Sequence, residues 1–313
     1  MCMRMGKGAE VPPQPPVPPH CTVASAGAAG YAPHRERTRM TTARDRFAAL
    51  AALDDAAIDV PTGALVIAQE AYAALDIDLY LARLDDLAAA ARPHVPASLA
   101  VAERMARLTR FLYVEQGFTG NDRSYYDPRN SFLNEVLDRR TGIPITLSIV
   151  YCAVGQRLGL SLGGVGFPGH FLVKHLGDPE IIADPFFGKL VTVEECAARL
   201  REVYGPNARF DHAYLRPASP RDILVRMLSN LKRVYVENGD VMRTLSCIDR
   251  ILLLTPEAVQ ELRDRGLLYR KLECFGPALR DLEHYLRLAP QGEGADAVRA
   301  ILPALQRDAA HVQ

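Results

Sequence analysis

From Thr41 onward the apolar positions recur at helical spacing. Phe47, Leu50 and Leu53 share one face, and Pro61 restarts a helix carrying Ile67, Ala71 and Leu75. Leu81, Leu84 and Leu87 continue the period from Leu79 to Ala91, and Pro93 and Pro96 then interrupt it. Ser98 is a candidate cap for a further helix to about Gln116, with Met105, Leu108 and Leu112 on one face. The spacing therefore predicts an all-helical region over residues 41–116.

The pattern changes at Gly117. GFTGNDRSYYDPRN, residues 117–130, is polar and turn-rich and reads as a surface loop, with a turn at Asp127–Asn130 and Arg129 set to pair with a nearby carboxylate. Ser131 begins a short helix that Gly142 breaks. Pro144 suits the first position of the next helix, to Leu158, because its missing N–H would have no helical partner there. That helix is apolar nearly all round, which predicts a central, buried element, and Gly159 supplies its C-terminal cap. Alternation at Val165, Phe167, Phe171 and Val173 around a Pro-Gly interruption predicts strand, turn, strand. Glu180–Asp184 is a further strand. Thr192 and Glu195 form a capping box that opens a helix to about Tyr204. Residues 117–215 thus read as an α+β core, a buried helix followed by a small antiparallel sheet.

The last hundred residues, 216–313, return to helices, starting at Ser219-Pro220-Arg221-Asp222. Pro256 and Pro290 lie 34 residues apart. Leu262, Gly266, Tyr269, Ala278, Leu282 and Tyr285 fall between them on tetratricopeptide (TPR) spacing. Gly266 and Ala278 are small where paired helices must cross closely. The preceding unit is looser, with Leu228, Tyr235, Thr244 and Ile248, and has Lys232 in place of the glycine. Two repeats cannot stand alone, so the array is expected to pack on the core or on Ala295–Gln306 as a capping helix.

Residues 1–40 differ in kind. VPPQPPVPP at Val11–Pro19, then Gly, Ala and Ser and a short Arg cluster, lack the apolar residues of a core. They read as a disordered tail, with translation starting at either Met1 or Met40. The Pro-rich run also suits recognition by a partner, but the plain tail accounts for the composition.

Composition narrows the function classes. The 313 residues carry no net charge and have a pI near 7.1, which argues against a general electrostatic grip on nucleic acid or an anionic membrane. No apolar stretch is long enough to span a bilayer. The six cysteines, Cys2, Cys21, Cys152, Cys196, Cys247 and Cys274, are scattered without a CxxC pair. They indicate neither a zinc site nor a disulfide framework, and they fit a reducing cytoplasm. No cofactor is implied.

The chemistry-bearing constellation is Pro144, His170 and Asp184. His170 sits beside a Pro-Gly turn, and Asp184 ends the next strand 14 residues on. An aspartate accepting from one imidazole nitrogen fixes the tautomer and raises basicity at the other. His175 lies an odd number of residues from His170, on the opposite face of a strand, so the two do not share a metal. Asn134 is a candidate donor to an oxyanion, and Phe167, Pro168 and Phe186 are candidate walls of a small pocket.

YYDPRNSFLNEVLDRRTGIPITLSIVYCAVGQRLGL, then GVGFPGHFLVKH, then IIADPFFG resemble the bacterial SirB family. That family joins a transglutaminase-like core, of papain-like architecture, to TPR repeats. The resemblance covers about Met40 to Gln306. It implies a nucleophilic Cys near the start of the buried helix and His and Asp on successive strands. His170 and Asp184 match the latter two, while counting back from Gly159 puts Pro144 at the cysteine position. Thr146, Ser148 and Cys152 are the available substitutes, Ser148 first.

The expected function is that of a degenerate, non-catalytic transglutaminase-like protein acting through interaction or regulation, with a protein or peptide partner in the TPR-like region. The alternative is a hydrolase or acyltransferase using Ser148 or Cys152 with His170 and Asp184. A purely structural role for the repeats is the third expectation.

Overall fold

The computed structural model describes residues 42–311, so the expected tail and the choice between Met1 and Met40 lie outside the described residues. Thr42 and Asp45 cap each other reciprocally at the start of α1 (Ala43–Ala51). Helix α2 (Val60–Gln69) is capped by Asp59 and has Pro61 in its first turn. Its end at Gln69 leaves Ala71 and Leu75 in the turn that leads to α3 (Ile77–Ala91). Helix α4 (Val101–Arg110) starts after Ala100 and not at Ser98. The residues before it form a tight turn, Leu99 N–H to Pro96 O at 3.3 Å. The first helical bond is then Arg104 N–H to Ala100 O at 2.9 Å, which leaves Ser98 outside. α4 runs on as a π turn over Phe111–Glu115.

The loop after it is anchored rather than free. β1 (Thr119–Gly120) pairs in parallel with β2 (Thr141–Gly142), tying the loop to the residues just before the buried helix. Asp127 bonds the Arg129 backbone N–H at 2.9 Å and its guanidinium at 2.7 Å, which shapes the 3₁₀ turn Pro128–Ser131. Asn130 is fully buried and donates to Ser124 O at 2.8 Å, holding the loop from beneath. α5 (Leu133–Arg139) ends at Arg140, which adopts the left-handed conformation with φ 54°, two residues ahead of the predicted break at Gly142.

The apolar run forms α6 (Pro144–Arg157), and only Cys152, Gln156 and Arg157 keep appreciable surface. Gly159 closes it with φ +79°. Each fully buried Leu or Ile contributes about 2 kcal/mol of transfer free energy, which explains why this helix anchors the core. One four-stranded antiparallel sheet follows in sequential order: β3 (Leu162–Val165), β4 (Leu172–His175), β5 (Ile182–Asp184) and β6 (Lys189–Val191). Val173 and Ala183 join the core around α6. Val165, Leu172, Ile182 and Val191 face the other way, onto Cys196 and Leu200 of α7 (Val193–Tyr204). β6 was not expected, because three residues are too few to show alternation.

Five helices complete the chain: α8 (Pro220–Glu237), α9 (Val241–Leu254), α10 (Val259–Lys271), α11 (Phe275–Leu288) and α12 (Ala295–His311). α8 buries Leu224, Met227 and Leu231 in the main core. The later pair has its own cluster, in which Leu262, Ala278, Leu282 and Tyr285 meet Val298 and Leu305 of α12. A Cβ on Gly266 would lie 2.7 Å from Leu282, so the close crossing requires glycine. At the corresponding place in the first pair, Lys232 reaches across to Glu261 and Asp264, each at 2.7 Å. The array therefore rests on the core at one end and on α12 at the other, as two repeats require.

Candidate functional site

Phe167, Pro168, Gly169 and His170 form a tight turn between β3 and β4. His170 N–H donates to Phe167 O at 3.0 Å, and Gly169 takes φ +68° after a proline, the pattern of a type II turn. This turn aims the imidazole at β5. His170 Nε2 lies 2.9 Å from both carboxylate oxygens of Asp184. The pair is buried, His170 at 6 % and Asp184 at 2 % exposure.

Asp184 has further donors. The Phe186 backbone N–H reaches Oδ1 at 3.1 Å and the Phe187 N–H at 3.4 Å, while Arg199 Nη1 of α7 stands 3.9 Å from Oδ2. A carboxylate receiving so many N–H groups is an acceptor, so the imidazole proton belongs on Nε2. Among the described residues nothing bonds Nδ1. That is the orientation in which a histidine acts as a base.

Aromatic rings surround the pair. Phe186 and Phe187 each lie 6.0 Å from the His170 ring, centroid to centroid. Phe186 packs on Gly120 of β1, where a Cβ would come within 2.6 Å of its ring. Gly188, with φ +60°, lies against Tyr113, whose ring would be 2.7 Å from a Cβ there. Phe186 thus connects His170 to β1, and the partner of β1 leads into Pro144. Burial, reinforced by Tyr151, Asp184 and Cys152, holds the Tyr113 hydroxyl well above its ordinary range.

The helix side is arranged differently. Pro144 is buried at the first position of α6. Thr146 Oγ1 donates to Asn130 O at 2.8 Å and accepts from Ile143 N–H at 3.1 Å. Ser148, 1 % exposed, donates to Pro144 O at 2.7 Å within its own helix. Cys152 is half-buried, and desolvation pushes its thiol up to about 12. Ser148 and Cys152 border a cavity of about 300 Å³ with Pro61, Gly164, Phe171 and Pro217; His170 is not among its walls.

Of the remaining candidates, Asn134 is 3 % exposed and its Oδ1 has no hydrogen-bond partner. Phe167 is fully buried in the cluster beneath α7, and its carbonyl accepts the His170 N–H of the turn. His175 Nδ1 accepts from the Asp178 N–H at 2.8 Å, away from His170. Among the described residues no group of three or more His, Cys, Asp or Glu is placed to hold a metal ion. None of their helices is long and apolar enough to cross a membrane. Sequence reasoning did not find Arg199 or Phe187, whose place beside Asp184 depends on the sheet meeting α7.

Fold and site together define a transglutaminase-like protein followed by tetratricopeptide repeats. The sequence pattern of the transglutaminase-like superfamily matches residues 78–229, and that of tetratricopeptide repeats matches 231–303. A UPF0162 protein of Xylella fastidiosa (strain Temecula1) is 40 % identical over 264 residues, covering 83 % of this chain and 94 % of that protein. A UPF0162 protein of Vibrio cholerae is 32 % identical over 207 residues, 66 % of this chain and 77 % of its own length. Protein SirB1 of Salmonella typhimurium is 27 % identical over 219 residues, 69 % and 81 % of the two chains. The chain belongs to this UPF0162 group, the SirB family.

Proposed function

We propose that this chain is a degenerate, non-catalytic transglutaminase-like protein that acts in the cytoplasm by holding a protein or peptide partner in its repeat region. The observation that carries this reading is at the start of α6. Counting back from Gly159 puts Pro144 at the cysteine position, and the Ser148 hydroxyl donates to the Pro144 carbonyl. The cysteine behind it keeps its proton across the physiological range, with its thiol pushed up to about 12.

The repeat region supplies the binding surface in this reading. Lys232, Val236, Thr244, Ile248, Leu267 and Lys271 line a groove of about 430 Å³ between α8, α9 and α10. Val236 and Leu267 expose apolar surface there, 56 % and 39 %. Repeats of this kind present such faces to peptides. The unpaired Cys152, Cys196, Cys247 and Cys274 are consistent with a reducing compartment.

The test compares two variants of the full chain expressed in its bacterial host. Val236→Asp with Leu267→Asp is expected to lose a partner that the wild type co-purifies, while His170→Ala retains it. Retention by the groove variant counts against the reading.

A second reading, a hydrolase or acyltransferase using Ser148 or Cys152, is supported by the His170–Asp184 pair with its unbonded Nδ1. It predicts turnover of p-nitrophenyl acetate, or hydroxamate formation from a glutaminyl peptide. That turnover would disappear in His170→Ala and in Ser148→Ala or Cys152→Ala.

A further inference from the structure

Aromatic and arginine side chains gather beside the His170 turn, and none of them lines the repeat groove or the cavity beside Ser148. The line begins on α7, where the Tyr204 hydroxyl would lie 3.4 Å from a Cβ on Gly169. It passes Phe187, which packs on His170 and carries the Arg199 guanidinium 4.6 Å above its ring. Phe186 follows at 5.1 Å from Phe187, then Tyr125 at 6.3 Å from Phe186, then Tyr126 at 5.4 Å from Tyr125. It ends on α8, where the Arg233 guanidinium stands 5.2 Å from the Tyr126 ring centroid and donates to its hydroxyl at 3.0 Å. Midway, Arg226 reaches the His170 carbonyl at 3.5 Å.

Two features separate this line from ordinary surface. First, its rings are exposed without a covering element: Tyr204 57 %, Phe187 53 %, Tyr126 47 % and Tyr125 40 %. Large aromatic rings gathered on one exposed line are the residues that dominate protein interfaces, because each buries much area while ordering few rotatable bonds. Second, positive charge exceeds negative along it. Arg233 pairs with Glu237 at 3.0 Å, and Arg199 has only a distant share of Asp184, which is already bonded to His170. Arg226 has no carboxylate within ion-pair distance among the described residues. Arginines stacked on rings are already oriented, so less side-chain freedom is lost when a carboxylate binds them.

We propose that this aromatic–arginine line, which runs from the transglutaminase-like part of the chain onto α8, is a second interaction surface that receives an acidic peptide segment with interspersed apolar side chains. The apolar side chains lie on Phe187, Tyr125 and Tyr126, and the carboxylates meet Arg199, Arg226 and Arg233. Charge complementarity selects this partner over a basic one. The surface shares α8 with the repeat groove but none of the groove's lining residues.

The experiment selects displayed random dodecapeptides on immobilised full-length protein, then measures an enriched peptide, fluorescein-labelled, by anisotropy. The expected enrichment is in Asp and Glu with aromatic or aliphatic residues between them. Affinity is expected to fall at least tenfold in Arg233→Glu and in Tyr126→Ala, two exposed positions whose exchange leaves the core intact, as circular dichroism would verify. Affinity should also weaken from low salt to about 0.5 M, where surface charges are screened. Lys271→Glu in the repeat groove should leave it unchanged, which separates this surface from the groove. No enrichment, enrichment of basic peptides, or equal binding by the line variants overturns the proposal. Tighter binding of a fluorescein-labelled oligothymidylate overturns it in favour of single-stranded nucleic acid.

Discussion

The two halves of the candidate site differ in how they use their polar groups. On the strand side, Asp184 gathers His170, two backbone N–H groups and Arg199, and among the described residues the other imidazole nitrogen has no hydrogen-bond partner. On the helix side, the hydroxyls of Thr146 and Ser148 turn inward to backbone carbonyls, and Cys152 is desolvated. One half is organised as a base would be; the other stabilises its own helix. A His–Asp pair therefore does not by itself specify catalysis, because it also braces the turn that joins β3 to β4.

The sharpest way to break the asymmetry is to place a thiol at the helix start. Pro144→Cys places a sulfur at a helix N-terminus, where the helix dipole favours thiolate. With Cys152 held near 12 as an internal reference, the new cysteine should react with iodoacetamide at pH 7 on the order of 10²–10³-fold faster. Site-resolved mass spectrometry reads both rates in one sample. Equal rates would mean that the helix start is as closed as Cys152, and the two halves would never have formed one site.

The next largest effect falls on the strand side. Asp184→Ala removes the acceptor of a buried charged network, and losses of this kind cost about 3–5 kcal/mol. Urea unfolding measures it. Asp184→Asn keeps an acceptor for the Phe186 and Phe187 N–H groups and should lose less. If Asp184→Ala unfolds like the wild type, the pair is not a brace.

Much of this arrangement was legible in the sequence, and the exceptions have a common cause. Thr192 with Glu195, Gly159 and the unbroken apolar run of α6 are local signals, and each appears where it was read. His170 and Asp184 meet because a turn and two short strands separate them, a distance that strand geometry converts into proximity. What was not legible depends on contacts between distant segments. The parallel pairing of Thr119–Gly120 with Thr141–Gly142 leaves no alternation to read. Arg199 reaches Asp184 only once α7 covers the sheet, and Arg233 meets Tyr126 across 107 residues. Ser98 misled because a capping residue carries no mark of whether a turn or a helix follows it.

A smaller effect comes from pH. Burial pushes the Cys152 thiol up to about 12, while an unfolded thiol titrates near 8.5. Between these values the native state holds a proton that the unfolded state has lost, so stability falls as pH rises. The Cys152 share should be about 1.4 kcal/mol one pH unit above the unfolded value. Urea midpoints of wild type and Cys152→Ala, compared at pH 8 and pH 9.5, isolate that share. Cys247, also pushed up to about 12 by burial, serves as a parallel case in the repeat region. A wild-type curve parallel to that of Cys152→Ala would show that the thiol ionises as freely in the native state as in the unfolded one.

The smallest effect is the most discriminating for the helix side. Ser148→Ala deletes the 2.7 Å bond to Pro144 O, but that carbonyl retains its place in the backbone ladder of α6. No acceptor is orphaned, and alanine favours the helix slightly more than serine does. The net change should stay within about 1 kcal/mol, a shift of at most a few degrees in Tm. A serine that instead turned toward His170 would give a different result: Ser148→Ala would alter ester turnover while leaving Tm almost untouched. Measuring both quantities on this one variant therefore separates a hydroxyl that serves its helix from one that serves the imidazole.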